Sequence, residues 1–267
     1  MPAAPPSEPS AEAPAGAAAA LARSLDTGRI RAISIDLDDT LWPIWPTITR
    51  AEAVLLQWLT EHAPATATLF SSTESLRAIR NQMVALRPDL VHDLSALRRE
   101  SIRLALTQAG DEPDLAEPAF DLFFAERQRV ELFADAHDTL AFLAARYPVV
   151  ALSNGNADVH RIGIGHYFKA SISATAVGIA KPDVRIFQAA ASAAQVQPHE
   201  VLHVGDDAAL DVQGALAAGM QAIWLNTPNH PWAHDQHGEP PHATVASLTA
   251  IRELLKAIPE ALAQPPR

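Results

Sequence analysis

The stretch Ala32-Ile33-Ser34-Ile35-Asp36-Leu37-Asp38-Asp39-Thr40-Leu41 decides the fold, because a short β-branched strand runs directly into three carboxylates. Such a segment, apolar and bounded by turn-forming acids, is typical of a buried strand. In an open parallel α/β sheet, ligands bind outside the carboxyl ends of the strands. We therefore expect Asp36 and Asp38 to lie at the edge of a sheet that carries the functional site.

Beyond residue 137, apolar strand-like segments alternate with helical ones. The predicted strands cover 148–152, 170–174, 201–204 and 221–225, and the predicted helices cover 139–146, 185–194, 210–218 and 248–257. Apolar strands separated by helices are typical of a parallel sheet covered on both faces. We therefore predict an α/β fold with a Rossmann-like parallel sheet core, to which the strand at 32–35 also belongs.

A helical insertion separates that first strand from the others. Residues 47–134 show apolar positions at helical spacing, as in Val54, Leu55, Trp58 and Leu59, which indicates amphipathic helices packed as a small bundle. The prolines at 43 and 46 are expected to keep a helix from forming before residue 47.

These patterns predict how the chain is divided. We expect a disordered Ala/Pro-rich tail (1–24), a core in two parts (25–45 and 135–258), a helical cap (46–134) and a flexible C-terminus (259–267). The tail lacks the basic and continuous apolar regions of a signal peptide.

Composition excludes several function classes. The chain has 267 residues, a formal net charge of −11 and no cysteine. A disulfide framework, a thiolate zinc site and a cysteine nucleophile are therefore excluded. The acidic balance argues against non-specific nucleic-acid binding, and no apolar run approaches the ~20 residues that cross a bilayer. We expect a cytoplasmic protein whose partner is a small molecule, and the oligomeric state stays open.

Polar residues follow the other strands as well. They are Ser153, Asn154 and Gly155 after the second strand, Lys181 before a helix, and Asp206, Asp207 and Asp211 after the fourth strand. With Asp36 and Asp38, these acids make five carboxylates in one crevice, and Lys181 is the one nearby cation. The carboxylates would repel each other unless a metal ion bound between them. Oxygen ligands favour a hard ion, Mg²⁺ or Ca²⁺, and binding through carboxylates together with a substrate phosphate is usual for Mg²⁺.

These motifs resemble those of the haloacid dehalogenase-like hydrolase superfamily, over residues 31 to about 226. The four that match, in order, are Asp36-Leu37-Asp38-Asp39-Thr40-Leu41, Ser153, Lys181-Pro182-Asp183, and Gly205-Asp206-Asp207 with Asp211. The resemblance implies that Asp36 is the nucleophile and that Asp38 is the general acid and base. It also implies that Mg²⁺ is held by Asp36, the backbone carbonyl of Asp38 and Asp206, and that Ser153 and Lys181 hold the phosphate. Asp207 and Asp211 would then orient metal-bound waters or Lys181.

Asp38 favours phosphate esters within that superfamily. Displacing an alkoxide calls for a proton donor, whereas displacing a halide does not. The helical insertion stands where the family places a C1-type cap, which closes over the site. Asn154 and Gly155 are expected to shape the phosphate loop. Trp42 and Trp45 are candidates to stack on a flat substrate, although both could simply pack the hinge.

A closer resemblance is to bacterial phosphatases of the flavin pathway. It is carried by residues 33–41 with Pro46 and Ile48, by Asn154-Gly155-Asn156-Ala157, and by 202–207 continuing through 211–215 and 219–222. It implies that FMN or 5-amino-6-(5-phospho-D-ribitylamino)uracil is the substrate. The alternatives are a nucleotide or sugar-phosphate phosphatase of the same superfamily and a non-catalytic phosphate-binding regulator.

Four further residues have structural interpretations. We expect Asp39 to shape a turn, His203 to be a core residue, and Gly214 and Gly219 to permit close packing or a helix end.

Overall fold

A computed structural model describes residues 24–227 and 229–256 and shows a six-stranded parallel sheet. The strands are β1 (Ala32–Ile35), β2 (Val149–Ser153), β3 (Ala170–Ser173), β4 (Val201–Gly205), β5 (Gln221–Leu225) and β6 (Ala243–Val245), in the order β3-β2-β1-β4-β5-β6. Each neighbouring pair is parallel. The predicted fold class is therefore confirmed, and β1 lies at the centre of the sheet.

Both faces of the sheet are buried, because alternate side chains of each strand enter different apolar clusters. Ile33 and Ile35 pack with Leu140 on one side, while Ala32 packs with Phe187 on the other. The covering helices are α6 (Ala136–Ala144) and α12 (Leu248–Lys256) on the first face and α9 (Val184–Ala194) on the second. Strands that are apolar on both faces suit this arrangement.

The helical insertion between β1 and β2 has its own apolar core. It contains α1 (Ile44–His62), α2 (Pro64–Leu69), α3 (Thr73–Leu86), α4 (Leu94–Ala109) and α5 (Ala116–Arg127). The core is built from residues such as Leu55, Leu59, Leu106 and Phe120. The amphipathic pattern in the sequence thus produces helices that bury one face against each other.

The expectation that prolines prevent a helix before residue 47 is wrong. Helix α1 begins at Ile44 and includes Pro46 in its first turn. Backbone N–H groups of the first turn have no intrahelical acceptor, so proline costs no hydrogen bond there. The insertion therefore leaves β1 through a helix that starts almost at the candidate site.

Smaller differences concern element ends. Instead of a helix over 210–218, a π-helical turn (Ala208–Gln213) precedes α10 (Gly214–Ala217). Short helices α7 (Val159–Ile162), α8 (Ala174–Val177) and α11 (His234–His237) were not predicted, and neither was β6. Apart from Ser24, the predicted tail lies outside the described residues, as does the predicted flexible C-terminus. None of the described helices is both long and apolar enough to span a membrane.

Candidate active site

Lys181 and two aspartates form a buried cluster at the carboxyl ends of β1 and β4. Lys181 Nζ lies 2.5 Å from Asp36 Oδ1 and 2.6 Å from Asp211 Oδ1. The three residues are only 5%, 6% and 1% exposed, respectively. Burial alone would lower the pKa of Lys181, but the carboxylates of Asp211 and Asp36 raise it above its ordinary value. Lys181 is therefore a permanent cation beside the predicted nucleophile.

Asp206 completes a group of three carboxylates that can hold a metal ion. One oxygen each from Asp36, Asp206 and Asp211 lies within 4.8 Å of the others. Thr40 Oγ1 donates to Asp206 Oδ1 at 3.1 Å and lies 3.5 Å from Asp36 Oδ2, so it ties the first and fourth motifs together. This set of oxygen donors suits a hard divalent cation such as Mg²⁺.

The electrostatics of the carboxylates also fit a cation. Burial, with the charge of Asp211, raises the pKa of Asp206 to about 7. Burial likewise raises the pKa of Asp36 well above its ordinary value, although Lys181 opposes the shift. Ionising a buried carboxyl group is costly when no cation is near. A bound divalent cation offsets this cost, so the carboxyl group then ionises readily and serves as a ligand.

Asp211 is held as an anion by its neighbours. Burial acts to raise its pKa, but Lys181 and then His203 more than offset this effect and lower it. His203 Nε2 lies 3.1 Å from Asp211 Oδ1, and its Nδ1 lies 2.8 Å from Ser34 Oγ. His203 is thus the predicted core residue, and it also links the core of the sheet to the site.

The second motif forms the loop that follows β2. Asn154 Oδ1 accepts from the backbone N–H of Lys181 at 2.7 Å, and Asn154 Nδ2 donates to the Lys181 carbonyl at 3.1 Å. Ser153 Oγ accepts from the N–H of Gly155 at 2.9 Å. Asn154 therefore positions the lysine through its side chain, a contact that was not predicted.

Asp38 points away from the three-carboxylate group and towards the helical insertion. Both of its oxygens accept hydrogen bonds of 2.7 Å from Nη2 of Arg127, and Oδ1 also accepts from Trp42 Nε1 at 2.9 Å. The expectation that Lys181 is the one nearby cation is therefore wrong. Arg127 gave no signal in the sequence, because it lies in a charged segment of α5 with no motif around it.

A cavity of about 420 Å³ opens between Asp38 and the insertion, and Gly155 also lines it. Its walls include the arginines Arg77, Arg80, Arg98 and Arg127 and the aromatic residues Trp45 and Phe123. The buried carboxylate of Glu52 pairs with Arg77 at 2.6 Å and with Arg98 at 3.3 Å. The cavity thus combines several guanidinium groups with apolar and aromatic side chains.

The two tryptophans differ sharply. Trp45 is 64% exposed and lines the cavity, and its ring is accessible to a ligand although the guanidinium of Arg77 lies 5.7 Å from the ring centroid. Trp42 is fully buried and has no open face, so stacking of Trp42 on a substrate is ruled out in this structure. Its indole N–H instead orients Asp38.

Asp207 lies outside the carboxylate group. Its Oδ1 accepts from the backbone N–H groups of Ala209 and Leu210, both at 2.8 Å, so the side chain caps the π-helical turn. Of these two acids, Asp211 contacts Lys181, and Asp207 bonds to Asp211 only through its backbone, whose N–H donates to Asp211 Oδ2 and whose carbonyl accepts from the Asp211 N–H. Asp207 therefore does not orient Lys181, because its side chain caps the turn, and the orientation of metal-bound waters by either acid stays a prediction.

The structural interpretations of Asp39, Gly214 and Gly219 agree with the structure. Asp39 has a positive φ of 59° and accepts from the N–H of Ile44, which shapes the turn into α1. A Cβ on Gly214 would lie 2.4 Å from Phe187, so this glycine permits close packing of α10 against α9. Gly219 has a positive φ of 80° just before β5.

Comparison with known proteins places these features in a family. The family model for haloacid dehalogenase-like hydrolases matches residues 30–219. The 5-amino-6-(5-phospho-D-ribitylamino)uracil phosphatase YigB of Escherichia coli is 34% identical over 233 residues, which cover 85% of this chain and 97% of that protein. A phosphoserine phosphatase of Thermus thermophilus is 38% identical over 48% of this chain and 54% of its own length.

Solved structures share the fold. A 2-haloacid dehalogenase from Pseudomonas syringae pv. Tomato superposes with a TM-score of 0.78 at 37% identity, over 85% of this chain and 98% of that one. A phosphatase from Thermococcus onnurineus, at 20% identity and a TM-score of 0.61, shows the same fold over 85% of this chain and 98% of that one. With its four motifs in order on one sheet edge, the chain belongs to the haloacid dehalogenase-like hydrolase family.

Proposed function

We propose that this enzyme is a Mg²⁺-dependent phosphomonoester hydrolase that acts through an aspartyl-phosphate intermediate. The observation that carries the proposal is the placement of Asp36 between the cation Lys181, at 2.5 Å, and the second carboxylate Asp206. A carboxylate is a weak nucleophile, and a phosphate dianion repels it. Asp36 therefore needs two positive charges beside it, which are Lys181 and the metal ion that Asp206 helps to bind.

Each residue then has a defined task. Asp36 attacks phosphorus, and Asp38 protonates the leaving oxygen and later accepts a proton from the attacking water. Lys181 and Ser153 hold the phosphoryl oxygens. When bound by Asp36, Asp206 and the backbone carbonyl of Asp38, Mg²⁺ supplies electrostatic stabilisation of the phosphoryl charge.

For the substrate, we propose FMN or 5-amino-6-(5-phospho-D-ribitylamino)uracil, with the helical insertion as the cap that selects the leaving group. The relative YigB of Escherichia coli supports this choice, because it is a 5-amino-6-(5-phospho-D-ribitylamino)uracil phosphatase. The cavity supports it by its chemistry, because the exposed ring of Trp45 can stack on a flat ring system. Arg80 lines the same cavity without a hydrogen bond or ion pair to any described residue, so its guanidinium can donate to ring carbonyl oxygens. A cytoplasmic location belongs to the same proposal.

A panel of phosphate esters with added Mg²⁺ tests the substrate. We expect FMN and the ribityl precursor to be hydrolysed faster than UMP, phosphoserine and ribose 5-phosphate. Faster turnover of UMP or ribose 5-phosphate would instead establish a nucleotide or sugar-phosphate phosphatase. No release of inorganic phosphate from any ester would favour the non-catalytic regulator.

Variants of the cavity sharpen the test. Loss of aromatic stacking in Trp45→Leu should raise KM for FMN by roughly 3- to 10-fold. Arg80→Gln should also raise KM for FMN. Arg87→Gln is the matched control, since Arg87 pairs with Asp89 at the surface and does not line the cavity.

A further inference from the structure

Arg127 forms a direct connection between the helical insertion and the predicted acid. It is the last residue of α5, it is 1% exposed, and its Nη2 donates to both oxygens of Asp38 at 2.7 Å. A charge-assisted pair of this kind is short and directional. The position of the Asp38 carboxyl group therefore depends on a residue that lies 89 positions away in the sequence.

The guanidinium is held in place from its other side. Arg127 Nε donates to Asn156 Oδ1 at 2.8 Å, and Asn156 Nδ2 donates to Ser95 Oγ in α4 at 3.1 Å. Trp42 Nε1 fixes the Asp38 oxygen Oδ1 from within the core. Because Arg127 and Asp38 are both held by third residues, their relative geometry is preset before any substrate binds.

One nitrogen of this guanidinium has no hydrogen-bond acceptor among the residues that the structure describes. Nη1 of Arg127 is buried and unpaired, although Nε and Nη2 are both satisfied. Arg127 lines the same cavity as Asp38, which is where a leaving group would lie. Buried donors are nearly always paired in folded proteins, so a lone one beside a cavity indicates an acceptor that arrives with a ligand.

We propose that Arg127 is a catalytic and positioning residue, which rests on the phosphatase function proposed above. Through Nη2 it aims the Asp38 carboxyl at the leaving group, and through Nη1 it donates a hydrogen bond to an oxygen of the leaving group. The step begins with a proton on one carboxyl oxygen of Asp38, while Nη2 of Arg127 donates to the other oxygen. As an oxygen of Asp36 bonds to phosphorus, the bond from phosphorus to the leaving oxygen breaks, and the leaving oxygen takes the proton of Asp38. The carboxylate left on Asp38 then stands against the guanidinium, until the attacking water returns a proton to it.

Two substrates whose leaving groups differ in their need for a proton test this role. In Arg127→Gln, kcat for FMN, whose leaving group is an alkoxide, should fall by roughly 10²-fold. With p-nitrophenyl phosphate, whose phenolate leaves without a proton, the loss should stay below about 10-fold. Arg127→Lys retains the charge but not the fork of donors, so it should recover part of the loss; it also replaces the Gln variant if that one does not fold.

Controls separate this role from a structural one. Arg129→Gln, which changes a surface arginine 76% exposed, should retain wild-type kinetics. The double variant Asp38→Asn with Arg127→Gln should lose clearly less activity than the product of the two single losses, because the positioning role of Arg127 acts only through Asp38. Equal losses on both esters, or additive losses in the double variant, would overturn the role of Arg127. A wild-type enzyme that hydrolyses neither ester would instead overturn the proposed function.

Discussion

Replacing Gly155 by alanine should misplace Asp38 while leaving the fold intact. An added Cβ would stand 2.4 Å from Asp38 Oδ2, 3.2 Å from Ser153 Oγ and 3.3 Å from Arg127 Nη2. Ordinary contact begins at 3.4 Å, so the Asp38 carboxylate has to move by about 1 Å, and a misplacement of this size can cost roughly 10²-fold in rate. The cost in unfolding free energy should be only about 1–3 kcal/mol, as for other overpacked sites.

The assay compares kcat at saturating FMN and Mg²⁺ with the thermal unfolding midpoint of the same preparation. Gly28→Ala is the matched control, because its nearest neighbour, Asp26 Oδ1, would lie at an ordinary 3.4 Å. Its kcat should equal that of the wild type. If kcat of the Gly155→Ala enzyme stays within threefold of the wild-type value, Asp38 does not need the position that the structure gives it.

Four more perturbations probe the site. Asp36→Asn should abolish hydrolysis while the circular dichroism spectrum stays native, and retained activity would refute the mechanism. Lys181→Met removes the ammonium group that pairs with two buried carboxylates and should lower the unfolding free energy by about 3–5 kcal/mol in urea titrations. EDTA should remove activity and added Mg²⁺ should restore it, whereas activity that survives exhaustive chelation would exclude a metal requirement. Because burial raises the pKa of Asp206 to about 7, the folded protein in EDTA keeps a proton that the unfolded chain has lost above about pH 4. Its stability should therefore fall as the pH rises from about 4 to about 7 and change little from this group above that, and Mg²⁺ should reverse the loss; an unfolding midpoint in EDTA that rises between pH 4 and 7 would contradict the shift.

The placement of the predicted ligands followed from strand direction alone. Asp36 comes directly after β1 and Asp206 directly after β4, and Lys181 precedes a helix at the same edge of the sheet. Parallel strands put their carboxyl ends at one edge of the sheet, so residues remote in sequence could be assigned to one site. Strand bounds were predicted to within about two residues, because buried β-branched segments have sharp limits.

The helical insertion shows where local patterns are insufficient. Its helices were predictable from apolar spacing, but the start of α1 at Ile44 was not, since proline propensity was applied without regard to the first turn. The orientation of the Asp207 side chain, which caps the π-helical turn, was also not predicted. An aspartate that points into the site and an aspartate that caps a helix look the same in the sequence. Only the backbone geometry distinguishes them.

By itself, the sequence determined five of the six strands and the meeting of Asp36, Asp206, Asp211 and Lys181 at one edge of the sheet, because these depend on hydrophobic period and on chain direction. Only the tertiary structure decided that Arg127 meets Asp38, that Trp42 is buried and that Trp45 is open to the cavity. Those contacts depend on how the helical insertion folds back over the sheet. Its packing sums many weak long-range interactions, and no local pattern in the chain records it.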